Sequence, residues 1–449
     1  MKVRKPPFPS AGLFGTCETF QPEVGKELYA WAKQLFPLHR SLTGKGNLET
    51  LRFIQTKVPG LKIKALKSGT RCLDWVIPPE WNVQDAYILD PRGKKIIDFR
   101  KNNLHVMAYS EPVDKRLTLN ELQAHLYSLK NQPTAIPYLT TYYKKRWGFC
   151  LSHQQRKKLK PGMYRAVIQA SKKNGNLVYG ELLLPGKSRK EVFLSTYICH
   201  PSMANDQLSG VVVLTALARW LSHCRQRNHS FRLIWIPETI GAIAYLSQNL
   251  KKMKKQIRVG WQLACLGDPG PFSFLPSRQG DTQADKISKK ILGENGKSFR
   301  VWSFLKRGSD ERQWCFPGVD LPVASVMRSK YGAYPEYHTS LDNLSFVRPK
   351  SLGEAYHLYK KILGLADENF YWRIKTIAEP NLGKRNLYPD LGTKDTAAAI
   401  ESLSNVIAFA DGSTSCVEIA ERCKIPALEC VKILRLLRAA KLVTAVSGG

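Results

Sequence analysis

Five side chains that can bind a metal ion or transfer a proton stand at intervals along the chain. They are His200, Asp206, Glu238, Asp268 and His338, and all lie in polar stretches beside or between apolar runs. Imidazole and carboxylate ligands suit zinc, and a catalytic zinc keeps one coordination position open for water. A nearby carboxylate can take the proton of that water as it attacks a carbonyl. The set predicts a metal-dependent hydrolase with Glu238 as its base.

Each of these residues also has an ordinary structural role open to it. A single histidine is more often a hydrogen-bonded structural residue, and His338 can be a polar loop residue. Asp206 can cap a helix that begins at Leu208. Glu238 can lie in the first turn of a helix, where the dipole favours acids. The recurrence of such groups after successive apolar runs, rather than any one of them, favours a shared site.

The chain around these residues alternates between apolar runs typical of buried strands and longer runs with helical spacing. The predicted strands are LVYGELLLPG, EVFLSTYI, FRLIWIP and IRVGWQLACL. The predicted helices between them include GVVVLTALARWLSHC and AIAYLSQNL. This alternation indicates an α/β sheet with helices on both faces. Functional groups in such sheets collect in the loops after the carboxyl ends of strands.

The patterns divide the chain into four parts. Residues 1–61 form a helical part, and residues 62–165 form a small β-rich unit of short apolar segments and turns. Residues 166–372 contain the α/β sheet, and residues 373–449 form a terminal unit. In the terminal unit two short helices joined by a tight turn precede a strand, which is typical of a winged helix-turn-helix.

Composition limits the classes of protein that the chain can belong to. No apolar run has the length of a membrane span, and prolines interrupt the N-terminal stretch where a signal peptide would be apolar, so we expect a soluble cytoplasmic protein. The 10 cysteines form no CxxC pair, which predicts reduced, mostly buried thiols. The net charge of +33 suits nucleic acid, an anionic polymer or a membrane surface. Because its basic clusters are scattered, a generally basic solvated surface is favoured.

The order of the polar motifs resembles that of zinc-dependent aminopeptidases and their carboxypeptidase relatives. The motifs are His200, Asp206 to Gly210, Pro237-Glu238, Ser309-Asp310 and Tyr337 to Asp342. Longer stretches are similar to a bacterial aminopeptidase-like family with an inserted β-rich domain and a C-terminal winged helix. They include LFPLHRSLTG, DWVIPPEW, CHPSMANDQLSG, RGSDERQWCFPGVDLP and YPEYHTSLDNL. The likeness extends from about residue 20 to 445.

The resemblance implies a phosphorylase/hydrolase-like mixed sheet flanked by helices. It further implies that His200, Asp206 and His338 are metal ligands and that Glu238 is the general base. Asp268 is the best match to a further carboxylate ligand that follows the next strand in the family. The resemblance also implies that the inserted β-rich domain forms one wall of the cleft.

One departure from the family bears on the number of metal ions. Two-zinc members carry a Glu-Glu pair, whereas this chain has Glu238-Thr239. A neutral hydroxyl is a poor replacement for a carboxylate on a hard dication. We therefore expect one firmly bound Zn²⁺ and a second site that is weak or absent. Candidates for holding a substrate carboxylate or an oxyanion are Arg278, Arg312, Arg328 and Tyr337.

Three functions stay open at this point. The first is an aminopeptidase-type hydrolase that cuts a peptide or another small amide. The second is a binding protein with a metal pocket and a winged helix that contacts nucleic acid or protein. The third is an amidase or deacylase that acts on amino sugars. Residues 373–449 carry 11 Lys and Arg against 8 Asp and Glu, a mild excess that favours protein contacts or dimerisation over nucleic acid. A homo-oligomer stays open, and no membrane partner is expected.

Overall fold

The structure is a computed structural model that describes residues 23–142, 144–224, 226–385, 387 and 394–446. The helices are α1 (Val24–Leu35), α2 (Lys45–Lys57), α3 (Leu119–Gln123), α4 (His153–Lys157), α5 (Gly210–His223), α6 (Ile240–Gln256), α7 (Gln283–Glu294), α8 (Glu311–Trp314), α9 (Pro349–Glu368), α10 (Lys394–Ala408), α11 (Cys416–Arg422) and α12 (Ala427–Ala439). Within these ranges no helix has both the length and the apolar character needed to cross a membrane. The nine described cysteines form no disulfide with one another, and Cys17 lies outside the described residues.

The strands fall into one large sheet and several small ones. They are β1 (Lys62–Lys67), β2 (Arg71–Cys72), β3 (Trp75–Val76), β4 (Glu80–Leu89), β5 (Lys95–Asp98), β6 (Val113–Thr118), β7 (Leu126–Tyr127), β8 (Phe149–Cys150), β9 (Met163–Lys173), β10 (Asn176–Leu184), β11 (Ser188–Tyr197), β12 (His229–Ile236), β13 (Ile257–Gln262), β14 (Ser273–Leu275), β15 (Arg300–Val301), β16 (Val323–Met327), β17 (Tyr371–Ile374), β18 (Asp411–Ser415) and β19 (Val443–Val446). The large sheet has the order β1-β10-β12-β11-β13-β16-β14-β15. Its central strands β12, β11, β13 and β16 run parallel, while β1 and β10 pair antiparallel to their neighbours. At the other end of the sheet β14 pairs antiparallel to β16 and parallel to β15. The predicted mixed α/β sheet is confirmed.

The large sheet separates two apolar cores. Along β11, Val192 and Leu194 lie in the core that contains residues of α1, α2, α5, α7 and α9. Phe193, between them, lies in the core that contains residues of α6 and of the β-rich unit. This alternation follows from the two-residue period of a strand, which turns successive side chains to opposite faces. Both faces of the sheet are therefore covered by apolar cores.

A glycine allows the chain after β11 to approach the end of β13. A Cβ atom at Gly210 would lie 2.6 Å from the carbonyl oxygen of Leu263 and 2.8 Å from Oγ1 of Thr196. Only glycine fits such a backbone approach without displacing the neighbouring chain. The contact fixes the start of α5, and with it the loop of residues 198–209, against the carboxyl ends of the parallel strands.

The β-rich unit has boundaries that differ from those predicted at residues 62 and 165. Residue 62 begins β1, which pairs with β10 in the large sheet, with Lys62 opposite Glu181. The small sheet has the order β5-β4-β9-β6, and β9 continues it beyond residue 165. The sequence KIKALK is an edge strand with mostly exposed side chains, so its pattern does not specify which sheet it joins. The inserted unit therefore extends from about residue 71 to 173.

The terminal unit is the predicted winged helix-turn-helix. Helices α11 and α12 are joined by a turn in which Lys424 has a φ of 55°, and β17 pairs with both β18 and β19. Because β17 begins at Tyr371, the unit starts slightly before the predicted boundary at residue 373. Trp372 and Leu434 of this unit share one apolar core with Leu363 of α9. The unit is thus packed directly onto the α/β domain.

Candidate metal centre

Two of the predicted metal ligands lie in the loop between β11 and α5. His200 follows the end of β11 by three residues and is 3% exposed. Asp206 lies in a wide π-helical turn, Ala204–Ser209, where its own φ and ψ of −97° and 63° are not helical. It is 1% exposed and does not cap α5, which begins at Gly210. The structural role considered for Asp206 as a helix cap is therefore excluded.

His338 comes to the same place from a loop more than one hundred residues later. One ligand atom from each of His200, Asp206 and His338 lies within 4.8 Å of the other two. Nε2 of His338 is 3.2 Å from Oδ2 of Asp206. Two atoms bound to one tetrahedral zinc at about 2.0–2.1 Å lie about 3.3 Å apart, so this spacing suits a shared ion.

The bonding of these atoms also fits a cation. Oδ2 of Asp206 and Nε2 of His338 are buried and, apart from their 3.2 Å approach to each other, have no hydrogen-bond partner in the described part of the chain. Burial lowers the pKa of His200 to about 4, which keeps its imidazole in the neutral form that a metal binds. Two imidazoles and one carboxylate form the donor set of a catalytic zinc site with an open position. The residues present therefore fit a zinc ion.

Neighbouring side chains hold the loop that carries the first two ligands. The hydroxyl of Tyr197 donates to Oδ1 of Asp206, which leaves Oδ2 as the open carboxylate oxygen. The carboxylate of Asp342 accepts the backbone N–H groups of Asn205, at 2.6 Å, and Asp206, at 2.9 Å. Arg40 donates from Nε to the carbonyl oxygen of His200 at 2.9 Å. Such contacts orient ligands before a metal binds.

Glu238 faces this cluster from the end of β12. Its Oε2 atom is 3.9 Å from Nε2 of His200, and its side chain is 23% exposed. Burial, and then the charges of Asp310 and Asp206, raise the pKa of Glu238 well above its ordinary value. Burial likewise raises the pKa of Asp310 to about 7, and Oδ1 of Asp310 accepts the backbone N–H of Thr239 at 2.7 Å. The site thus contains three carboxylates in close proximity, which a cation would stabilise.

Thr239 has a strained backbone and a hydroxyl that is already bonded. Its φ is 61°, an outlier for a β-branched residue, and strain of this kind clusters at functional sites. Nη2 of Arg312 donates to Oγ1 of Thr239 at 3.0 Å, and Nε of Arg312 donates to the carbonyl oxygen of Ser309 at 3.1 Å. Arg312 is therefore bonded to the residue that follows Glu238, and its role in binding substrate stays a prediction.

Two tyrosines flank the histidines. The ring of Tyr337 stacks on that of His338 with centroids 3.8 Å apart. Tyr138, from the inserted unit, has its ring 5.4 Å from that of His200 and 5.2 Å from that of His338. Its backbone N–H donates to the carbonyl oxygen of His338 at 2.8 Å, and Pro137 pairs with Thr339. The inserted unit therefore lines the centre, and no sequence motif marked Tyr138 as part of it.

Three predicted site residues lie outside the cluster. Asp268 is six residues beyond β13, and the chain turns at Cys265, whose φ is 51°. Its carboxylate accepts from Nδ2 of Asn205 at 3.0 Å, so it contacts the neighbour of a ligand instead of joining the ligand set. Arg278 forms an ion pair with Asp320 at 2.8 Å, and Arg328 donates to the carbonyl oxygen of Gly270 at 2.7 Å. The expectation that Asp268 completes the ligand set is not what the structure shows.

Family comparisons match both parts of the chain. The model of a domain of unknown function, DUF4910, matches residues 29–369. The chain belongs to the DUF4910 family. A winged helix-turn-helix model matches residues 369–445, which agrees with the start of β17 at Tyr371. The DUF4910 region contains the large sheet, the inserted unit and every residue of the candidate metal centre.

Relatives of this DUF4910 chain match it over most of its length. A Clostridium acetobutylicum protein is 42% identical over 400 residues, which are 89% of this chain and 91% of its own. That protein is provisionally named for polysaccharide biosynthesis and an aminopeptidase-like domain. A crystal structure from the same organism, provisionally named a peptidase, superposes with a TM-score of 0.88 at 38% identity, covering 94% of this chain and 97% of that one.

More distant structures share the fold of the α/β domain. The zinc aminopeptidase of Bacillus subtilis superposes with a TM-score of 0.57 at 14% identity, covering 81% of this chain and 96% of that one. An M28 peptidase precursor from Shewanella amazonensis superposes with a TM-score of 0.54 at 11% identity, covering 80% of this chain and 97% of that one. The predicted aminopeptidase-type fold with a C-terminal winged helix is confirmed.

Proposed function

We propose that this DUF4910 protein is a metal-dependent amide hydrolase of the aminopeptidase type. The observation that carries the proposal is the convergence of His200, Asp206 and His338, with two buried ligand atoms that lack partners in the described chain. The carboxylate of Glu238 beside His200 supplies the base that such chemistry needs. The fold shared with zinc aminopeptidases and the provisional name of the 38% identical structure support the same class.

His200, Asp206 and His338 would hold the zinc ion. Bound there, zinc would act as a Lewis acid toward a substrate carbonyl and lower the pKa of a coordinated water. One ion is expected because Thr239 offers a neutral hydroxyl that already accepts a hydrogen bond from Arg312. The guanidinium of Arg312 also brings a positive charge to this side of the site, which disfavours a second cation.

Glu238 is proposed to move the proton. Its carboxylate accepts a proton from the attacking water and returns it to the leaving amine, so that no net proton is gained or lost by the side chain. The raised pKa of Glu238 suits the second of these steps, and the positive charge of Arg312 opposes the rise. The rings of Tyr138 and Tyr337 exclude water around the histidines and form the walls that a substrate meets.

A second substrate class has its own support. The 42% identical relative carries a name that joins polysaccharide biosynthesis to an aminopeptidase-like domain. The net charge of +33 would attract an acidic glycan. The same residues could then remove an acyl group from an amino sugar, since that reaction also cleaves an amide. The peptide and amino-sugar proposals therefore assign different substrates to the same candidate metal centre.

Metal analysis followed by a substrate screen tests the proposal. We expect about one zinc per chain and turnover of either aminoacyl nitroanilides or N-acetylated amino sugars. Glu238→Gln should retain zinc and lower kcat by about 10²–10⁴-fold, whereas Glu379→Gln, at an exposed position between β17 and α10, should change neither. Retained turnover in Glu238→Gln would remove Glu238 from the mechanism. A zinc-loaded protein inactive on both substrate classes would support the binding-protein alternative instead.

A further inference from the structure

A second pocket lies near the metal centre at the same edge of the large sheet. It has a volume of about 380 Å³ and is lined by the loop of residues 269–272, by the end of α7 and the residues after it, and by the start of α9. This loop follows β13, and Arg328, which also lines the pocket, directly follows β16. Ligands of open α/β sheets bind outside the carboxyl ends of strands. We refer to this cavity as the Arg328 pocket.

The Arg328 pocket is strongly basic. Its lining includes four cationic side chains and one carboxylate, which are Lys297, Arg328, Arg348, Lys350 and Glu354. The 20-residue helix α9 begins here at Pro349 and has no side-chain cap. The first N–H groups of a helix have no partner within the helix, and its dipole favours an anion at that end. The basic side chains and the N-terminal N–H groups of α9 therefore both favour an anionic ligand.

Arg328 provides an independent indication of a ligand. The residue is 4% exposed, and its guanidinium carbon lies 4.4 Å from the centre of the Phe272 ring. Nη1 donates to the carbonyl oxygen of Gly270, and Nη2 pairs with the carboxylate of Glu354. Nε is buried and has no hydrogen-bond partner among the described residues. Nη2 also donates to the carbonyl oxygen of Ser351 at 3.4 Å, so Nε is the one nitrogen of this guanidinium for which the described residues supply no acceptor. A buried N–H without an acceptor is costly, and an incoming anion would supply that acceptor.

We propose that the Arg328 pocket binds a small organic anion through a phosphate or carboxylate group. An oxyanion of either kind can accept from a guanidinium and from helix N–H groups at once. The cavity is larger than such a group alone, and Phe272 and Phe299 in its lining offer apolar contact to the rest of the molecule. The ligand is therefore an anion attached to an apolar or ring-shaped body.

The Arg328 pocket and the metal centre are connected through Asp268. Oδ1 of Asp268 accepts the backbone N–H of Gly270 at 2.8 Å, and its Oδ2 accepts from Nδ2 of Asn205 at 3.0 Å. Asn205 directly precedes the proposed ligand Asp206. The anion site is argued from its own contacts and does not depend on the proposed hydrolase activity.

Binding by the full-length protein tests the proposal, with phenyl phosphate and benzoate as probes. We expect one or both to raise the melting temperature and to give saturable heats in calorimetry, while NaCl at equal ionic strength does not. A response to phenyl phosphate alone assigns a phosphate ligand, and a response to benzoate alone assigns a carboxylate. No saturable binding of either probe would overturn the proposal.

Variants locate the binding. Arg348→Ala combined with Lys350→Ala removes two exposed cations of the pocket and should weaken the apparent Kd about tenfold or more. Lys251→Ala combined with Lys252→Ala removes the same charge from an exposed part of α6 and should leave the Kd unchanged. Arg328→Lys, which keeps the charge but removes Nε, should weaken binding further if the variant folds. Unchanged affinity in the Arg348/Lys350 variant would overturn the assignment of the site.

Discussion

At the metal centre, buried atoms of Asp206 and His338 that have no other partner in the described chain lie 3.2 Å apart, whereas backbone and charged groups of α12 in the winged unit are bonded to the α/β domain. The first N–H of α12, from Ala427, donates to Oε1 of Glu294 on α7 at 2.8 Å. Arg435 of α12 pairs with Glu368 of α9 at 2.6 Å. Nε1 of Trp372 and Oγ1 of Thr376 in the winged unit are also buried without a hydrogen-bond partner among the described residues, but an indole N–H and a neutral hydroxyl are not typical metal ligands. The two regions therefore differ in that only the metal centre brings ligand-type atoms of this kind together.

The difference indicates which region awaits a ligand. A buried polar atom without a partner costs about 1–3 kcal/mol, so a site that keeps two of them is stabilised when a ligand binds. A helix-turn-helix reads DNA with the N-terminal residues of its second helix. In this protein that end of α12 lies against Glu294, an acidic side chain of the α/β domain. The winged unit is thus better suited to packing within the chain, and the metal centre to binding.

The largest effect is expected from removing the charged ligand of the metal centre. Asp206→Asn keeps the shape of the side chain but offers a neutral oxygen, so we expect the zinc content after dialysis to fall from about one per chain to near zero. His223→Ala, at an exposed histidine of α5, should keep its zinc. Elemental analysis measures the zinc content of both variants, and thermal melting verifies that they fold. Full zinc content in Asp206→Asn would show that the cluster is not the metal site.

The parts of this centre that the sequence predicted are those close to strand ends. His200 and Glu238 follow β11 and β12 within three residues, so the alternation of strands and helices was enough to group them. His338 lies in a loop with no such pattern; its residue type made it a candidate, and the resemblance of its motif implied that it is a metal ligand. Tyr138 was missed, and Asp342 was quoted within a motif without a role. Their roles depend on contacts across well over one hundred residues, such as the pairing of Pro137 with Thr339.

The fold was predicted where periodicity is strong and was misassigned where it is weak. The buried strands β10 to β13 and the helices α5 and α6 were predicted because each shows a single pattern of apolar residues over its whole length. The exposed edge strand β1 was given to the wrong sheet, since partner choice is a tertiary property. Asp268 was misplaced for a related reason. The chain turns at Cys265, within the loop after β13. The sequence spacing between β13 and Asp268 does not reveal where such a loop directs its side chains.

A smaller effect is expected from opening the contact between the winged unit and the α/β domain. Arg435→Ala leaves the carboxylate of Glu368, which is 5% exposed, without its cationic partner. Burial already raises the pKa of Glu368, and loss of the guanidinium removes a group that opposes this rise. We expect a destabilisation of about 1–3 kcal/mol, read from thermal or urea unfolding. Lys432→Ala, at an exposed position on the same helix, should have little effect, and equal stabilities of the two variants would contradict the proposed docking.

The smallest effect is expected from the exposed cations of α12. Lys432 and Arg438 are the side chains of this helix best placed to contact phosphate, because Arg435 is engaged by Glu368. If they tracked duplex DNA, their combined replacement by alanine would reduce the slope of log affinity against log salt by about 1.8. We expect fluorescence anisotropy with duplex DNA to give only weak binding, with the same slope in wild type and variant. Tight binding that this double variant abolishes would mean that the winged unit reads nucleic acid with the far end of α12 while its start stays docked.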